Sequence, residues 1–273
     1  MNAKPGSVYF IYAWLLLFGL FPLSLIAVTS FLSKSPEHLI TLPFTLHNYT
    51  SLFNPLIGHV MLRSVLIASI TTGACLLLAY PFSYFMVKSK HQSLLVLLII
   101  IPFWTSSLVR TYALIAILKV HGVLNSLLLH MHIIDHPLAL LYSNGAVIIG
   151  LIYTLFPFMV LPLFTQMERF DFRLLEAAQD LGAGKFSLFF RVFLPNTTLG
   201  ILSGSLLVFL PAMTLFYIPN VLGGARSILL GNLIQNQFFI MENWPEGAAT
   251  SLFLTGALVF VLVIAKKYRR TLT

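Results

Sequence analysis

Three groupings of residues in this sequence have compositions that do chemistry elsewhere. The first is Gly182-Ala-Gly-Lys185, a glycine-rich step ending in lysine, as in loops that cradle phosphate. The pattern G-x-x-x-x-G-K-[ST] fails here at two positions. Gln179 stands where the first glycine is needed, and Phe186 stands where the hydroxyl is needed. No strand precedes the loop, so ATP is not expected to bind this chain by that route. The second grouping is His130, His132, Asp135 and His136, in which His132 and His136 are one helical turn apart and could ligate a metal. Nothing else in the chain completes a site. A polar, titratable loop is expected there, with no metal. The third grouping is the set of eight acids: Glu37, Asp135, Glu168, Asp171, Glu176, Asp180, Glu242 and Glu246. None falls mid-span or forms an intramembrane pair, and no nucleophile stands with a base. No catalytic residue is expected, and the chain is not read as an enzyme.

The elements that must position these residues follow from composition. The 273 residues are 58% hydrophobic and only 9% charged, against about 25% charged in a soluble domain. Too few charges remain to coat a water-facing surface, so an integral membrane protein is expected. A helix needs about 20 apolar residues to cross a bilayer, and six runs qualify: about 8–32, 62–87, 94–118, 142–166, 197–218 and 246–265. They are continuously apolar, which fits helices and not barrel strands. The first run exceeds the h-region of a signal peptide and reads as a retained helix. Pro22, Pro81, Pro102, Pro157, Pro162 and Pro211 fall in or at the ends of these runs and are expected to kink them. Cys75 lies inside an apolar run as filler. Gly200-x-x-x-Gly204 opens the fifth run, where small residues let two helices approach closely, within the chain or against another chain.

Lys and Arg set the orientation. With the N-terminus inside, Lys4, Lys88, Lys90, Arg169, Arg173, Lys185, Arg191, Lys266, Lys267, Arg269 and Arg270 lie inside. Lys34, Arg63, Arg110, Lys119 and Arg226 lie outside. Both termini are therefore expected in the cytoplasm. The positive charge is absorbed by topology, which leaves no reason to invoke nucleic acid. Outer loops are expected at about 33–61, 119–141 and 219–245. Inner loops are expected at Lys88–Ser93 and at about 167–196. The whole chain, 1–273, reads as a single membrane domain.

The larger inner loop interrupts the oily sequence with LLEAAQDLGAGKFSLFFRVFLP, residues 174–195. Phe172 to Leu181 are good helix formers. Leu174, Ala178 and Leu181 share one stripe, and ten residues make about 15 Å of helix, far too short to cross. Gly182 permits the left-handed turn that ends it. Phe186, Phe189, Phe190 and Phe193 form a second stripe, and Pro195 is expected to stop or redirect the chain before the fifth span. Two short helices at an angle result. Ala177, Ala178 and Gly182 leave a low-relief face suited to close approach by a partner.

These residues carry a resemblance. Glu176-Ala177-Ala178, three residues, Gly182, nine residues, then Val192-Phe193-Leu194-Pro195 resembles the EAA loop of ABC-importer permeases, E-A-A-x3-G-x9-I-x-L-P, with Val192 in place of isoleucine. Three further blocks, Ile101–Tyr112, Leu210–Tyr217 and Trp244–Ser251, resemble permeases of spermidine/putrescine importers. The resemblance implies the type I ABC-importer permease fold, all-α with six transmembrane helices. It implies a cytoplasmic coupling helix between the fourth and fifth spans, in which Glu176, Ala177, Ala178, Asp180, Gly182, Leu194 and Pro195 take part. It further implies a second homologous permease, two cytosolic ATPase subunits holding ATP and Mg, a periplasmic polyamine-binding protein and the bacterial inner membrane.

A polyamine is a multivalent cation, and isolated charge is costly in a bilayer. Trp104, Tyr112, Phe216 and Tyr217 are candidates to hold ammonium groups by cation–π attraction. Glu242 and Glu246 could form an acidic outer rim. Arg110, in the third span, should repel such a substrate and is expected to be paired or to snorkel. An ABC permease for ferric iron, thiamine or phosphonate, or a self-sufficient secondary transporter, remains the alternative.

Overall fold

In the computed structural model the residues described are 5–35, 39–224 and 227–272. Lys4, Glu37 and Arg226, and the side chains of Arg269 and Arg270, lie outside these. The chain divides into two compact units, Met1–Val60 with Leu233–Ile264, and Met61–Asn232 with Ala265–Thr273. Both are helical. The extended pairing found among the described residues is a single antiparallel bridge, Ser33 to Thr41.

Helix α1 (Pro5–Leu15) passes through a π turn, Leu16–Leu20, into α2 (Phe21–Thr29). A short helix, α3 (His47–Ser51), precedes the 34-residue α4 (Pro55–Lys88). Next come α5 (Gln92–Ile100), a 3-10 turn at Ile101–Trp104, α6 (Ser107–Leu118) and α7 (Val123–His130). Helix α8 (Asn144–Glu168) leads to α9 (Arg173–Asp180). The next helix starts as α10 (Lys185–Ser187), widens to a π segment at Leu188–Phe193 and continues as α11 (Leu194–Thr214). A π turn at Pro219–Gly223, α12 (Leu230–Phe239) and α13 (Trp244–Leu272) complete the chain.

Six stretches are long and apolar enough to cross a membrane: Ile11–Thr29, Pro55–Lys88, Ser107–His130, Asn144–Glu168, Lys185–Thr214 and Trp244–Ile264. The number agrees with the apolar runs, but the second starts at Pro55 and not at 62, the third runs on into the expected outer loop to His130, and the fifth starts earlier. The expected third span, 94–118, is not one helix. Pro102 lies in the 3-10 turn, and Thr105 and Ser106 are extended (ψ 145° and 133°), so Gln92–Trp104 becomes a separate, shorter apolar helix. The fifth stretch begins at Lys185 and not at 197. Pro195 does not stop the chain. It occupies the first turn of α11, directly after the π segment. A proline ring clashes with the carbonyl four residues back, and here that residue, Arg191, lies in the widened turn, which relieves the clash. Pro22 follows the Leu16–Leu20 π turn in the same way. The expected pair of short angled helices is therefore one short helix, α9, and the N-terminal end of a long one.

The core of the second unit is the α8–α11 pair. A Cβ on Gly200 would sit 3.1 Å from the Pro162 carbonyl oxygen and 2.9 Å from Gln166 Cβ. One on Gly204 would sit 2.8 Å from Met159 Sδ. The small residues thus serve packing inside this chain. More than half of the α8 stretch is buried, against none of Ile11–Thr29.

The connections are not open loops. Each of three is folded around one buried asparagine. Asn48 donates to the carbonyls of Ser30 and Leu32 at 2.9 and 2.8 Å. Asn125 donates to Leu138 O at 2.8 Å and accepts from Leu138 N at 3.0 Å. Asn232 donates to Phe216 O at 2.8 Å and accepts from Leu229 N at 3.0 Å. In each, one side-chain amide bonds main-chain groups of the connection and holds its fold.

Candidate functional site: a short exposed helix on an aromatic base

Helix α9 opens where Asp171 Oδ1 accepts from Arg173 N at 3.0 Å. It closes in a Schellman turn. Ala183 N donates to Ala178 O at 3.0 Å, and Gly182 N donates to Gln179 O at 2.8 Å. Gly182 takes φ +82°, a conformation costly for any side chain with a Cβ. The expected helix over 172–181 and its glycine stop are both present.

The residues around α9 hold it by a cluster of rings. Phe170 and Phe172 pack edge to face at 5.3 Å, and Phe193 packs on Phe170 at 5.2 Å and on Tyr84 at 5.4 Å. Lys88 Nζ lies 3.8 Å above the Phe172 ring, and the Tyr80 and Thr197 hydroxyls meet at 2.9 Å. Of the expected phenylalanine stripe, only Phe193 is buried, while Phe186 and Phe190 are exposed. An apolar groove of about 760 Å³ runs beside the cluster, lined by Leu76, Tyr80, Leu175, Gln179, Lys185 and Phe189 among others.

Glu176, Ala177, Asp180 and Gly182 are exposed, and Ala178 is half-buried. Nothing lies within 4 Å of the point where a Gly182 Cβ would stand. Leu181, on the same stripe as Leu174 and Ala178, is 89% exposed. The face is smooth, partly apolar and uncovered by its own chain. Leu194 and Pro195 do not belong to it. They open α11, and Leu194 lines the groove.

The structure distributes the other candidates less tidily. Tyr217 hydrogen-bonds through its hydroxyl to Ser107 of α6 and meets Phe216 edge to face at 6.4 Å. These two follow the end of α11, where Leu215 turns extended (ψ 123°). Trp104 is 83% and Tyr112 61% exposed. Glu246 sits in the first turn of α13 and accepts from Asn243 Nδ2 at 2.6 Å, while Glu242 is exposed with φ +50°. These two acids belong to the first unit and the four aromatics to the second.

Three features were not read from the sequence. Asn144 Oδ1 accepts from Arg63 at 2.6 Å and from Ser227 Oγ at 2.8 Å. Gly231 lies so close to Thr214 that an added Cβ would stand 2.3 Å from its carbonyl oxygen. Arg110 stacks over Phe103 and Tyr153, at 5.5 and 6.0 Å. A lone asparagine or arginine in an apolar run is the available signal, but it does not name its partner.

The family model for the binding-protein-dependent transport system inner membrane component matches residues 72–268, a range that contains α9 and its aromatic base. The chain belongs to this family. It is a multi-pass inner membrane permease with the type I ABC-importer fold. The chain is 47% identical over 266 residues to the spermidine/putrescine transport system permease protein PotB of Haemophilus influenzae, covering 96% of this chain and 93% of that one. It is 46% identical over 264 residues to PotB of Escherichia coli K12, covering 96% of each. Among solved structures, a chain of a bacterial alginate ABC transporter in complex with its alginate-bound periplasmic protein superimposes with TM-score 0.78. That match covers 98% of this chain and 94% of the other at 13% identity, a likeness of fold alone.

Proposed function

We propose that this chain is one of two permease subunits of an ATP-driven importer that carries polyamines, spermidine or putrescine, across the bacterial inner membrane. The observation that carries the mechanism is α9. It is a short rigid helix with an exposed, small-residue face and an open left-handed glycine end, seated on packed rings. A face of that kind accepts a close-fitting partner. In the proposal the partner is a cytosolic ATPase subunit, which holds ATP and Mg. Its closure pushes Glu176–Gly182, and the aromatic base passes the push to the cytoplasmic ends of α4 and α11. Both termini are then cytoplasmic, as the excess of Lys and Arg on that side requires. A periplasmic binding protein delivers the substrate to the opposite face. The substrate assignment draws its support from the two PotB relatives, which match over nearly the whole chain.

Trp104, Tyr112, Phe216 and Tyr217 are proposed to meet the passing ammonium groups, each worth about 0.5–2 kcal/mol of cation–π attraction. Glu242 and Glu246 are proposed as an acidic rim. The test is uptake of labelled spermidine and putrescine by proteoliposomes containing this chain, a second permease, the ATPase and the binding protein. Uptake should require ATP and every subunit. Transport by this chain alone would contradict the proposal, and competition by iron, thiamine or phosphonate in place of polyamines would overturn the substrate.

A further inference from the structure

The apolar groove beside α9 lies wholly in the second unit, and its lining has two unlike ends. One end holds Tyr84, a turn before Lys88 closes α4, with Gln179 of α9 and Lys185 at the start of α10. The other holds Leu76 and Leu77 of α4 and Ile201 of α11. The Tyr84 hydroxyl, the Gln179 amide and the Lys185 ammonium make no hydrogen bond or ion pair among the described residues. All three can donate, and one is a cation. Glu176 and Asp180 share α9 with Gln179, yet neither lines the groove, nor does any other described acid. The groove follows α4 from Leu76 to Tyr84, about 12 Å at 1.5 Å per residue. Half the hydrocarbon core of a bilayer, the share of one leaflet, is about 15 Å.

We propose that the groove holds an anionic phospholipid of the leaflet at the α9 end. Its acyl chain lies along Leu76, Leu77 and Ile201, and its phosphate meets Tyr84, Gln179 and Lys185. Apolar walls that end in unpaired donors and a positive charge match that molecule from tail to head. A crossing helix from a partner would need about 30 Å of apolar wall, more than twice what the groove offers. A polyamine would need acceptors where the groove presents donors, so this is not a route for such a substrate. The bound lipid touches α9 through Gln179 and α4 through Tyr84, and so ties the exposed helix to the membrane body. This goes beyond the proposed transport function, and only the naming of the leaflet as cytoplasmic rests on that reading.

The test uses the assembled importer in phosphatidylcholine nanodiscs. These carry a trace of phospholipid with a photoactivatable acyl chain and a phosphatidylglycerol or a phosphatidylcholine headgroup. Labelled peptides are mapped by mass spectrometry. The phosphatidylglycerol probe should label the groove walls on α4 and α11 at least about fivefold more than the phosphatidylcholine probe, the preference that one lysine confers towards an anionic lipid. Lys185→Gln should remove most of that preference, and Lys185→Arg should keep it. Equal labelling by the two probes, or labelling confined to other surfaces because another polypeptide fills the groove, would overturn the proposal. So would a preference undiminished in Lys185→Gln, and the wild-type comparison decides even where that variant does not assemble. A wild-type complex that labels as expected but imports no polyamine would overturn the proposed substrate and leave the lipid site standing.

Discussion

At the scale of single residues, two glycines carry opposite duties. Gly182 is open on every side, and its φ of +82° is the constraint. A side chain there is strained by about 1–2 kcal/mol and roughens the face that the ATPase would grip. Gly182→Leu should leave membrane insertion and α8–α11 packing intact while lowering ATP-driven uptake at least tenfold. Wild-type uptake by this variant, measured at equal membrane levels, would defeat the coupling role. Gly200 is closed in by the Pro162 carbonyl and the backbone of Leu163. Gly200→Val should overpack the core by about 1–3 kcal/mol and lower the thermal unfolding midpoint in detergent. An unchanged midpoint would mean that α8 and α11 separate freely. Gly182 was legible from its place after a short amphipathic helix. Which partner Gly200 met was not, because spacing alone leaves the choice between a helix of the same chain and one from another.

At the scale of elements, long apolar runs declare themselves as helices because lipid allows the backbone few other solutions. What they conceal is their interruption. The Thr105–Ser106 break falls at a polar step, Thr105-Ser-Ser107, too short to divide the apolar run around it, and the π segment at Leu188–Phe193 has no compositional mark other than the proline after it. The connection from 219 to 245 reads as an outer loop, yet Leu222, Leu229 and Leu230 are fully buried there. Its order depends on Asn232, whose amide bridges Phe216 O and Leu229 N. Asn232→Leu leaves Leu229 N without its partner at about 1–3 kcal/mol, while Phe216 O keeps its bond from Asn220 N. Hydrogen exchange should then quicken across 215–232 while α8 stays protected, and unchanged protection there would show that the asparagine is dispensable. The same change should impair uptake, because Phe216 and Tyr217 are set by this segment.

At the scale of the whole molecule, the proposed importer joins a membrane body to a force that arises on another subunit. The family and the apolar stretches were legible from the EAA spacing and composition. The routes through the bilayer were less so. Candidates chosen for their chemistry, such as Trp104 and Tyr112, stand exposed on one chain, and a pathway shared between chains cannot be read from one of them. The central claim is that α9 lies in the cytoplasm against an ATPase subunit. It is tested most directly by Ala177→Cys in a background with Cys75→Ser, cross-linked with a short thiol-to-amine reagent in membranes carrying the whole importer. A covalent adduct between this chain and the ATPase, formed only when reagent reaches the cytoplasmic side, is the result expected. Labelling of Cys at position 177 from the periplasmic side, or no adduct with any other polypeptide, would contradict it.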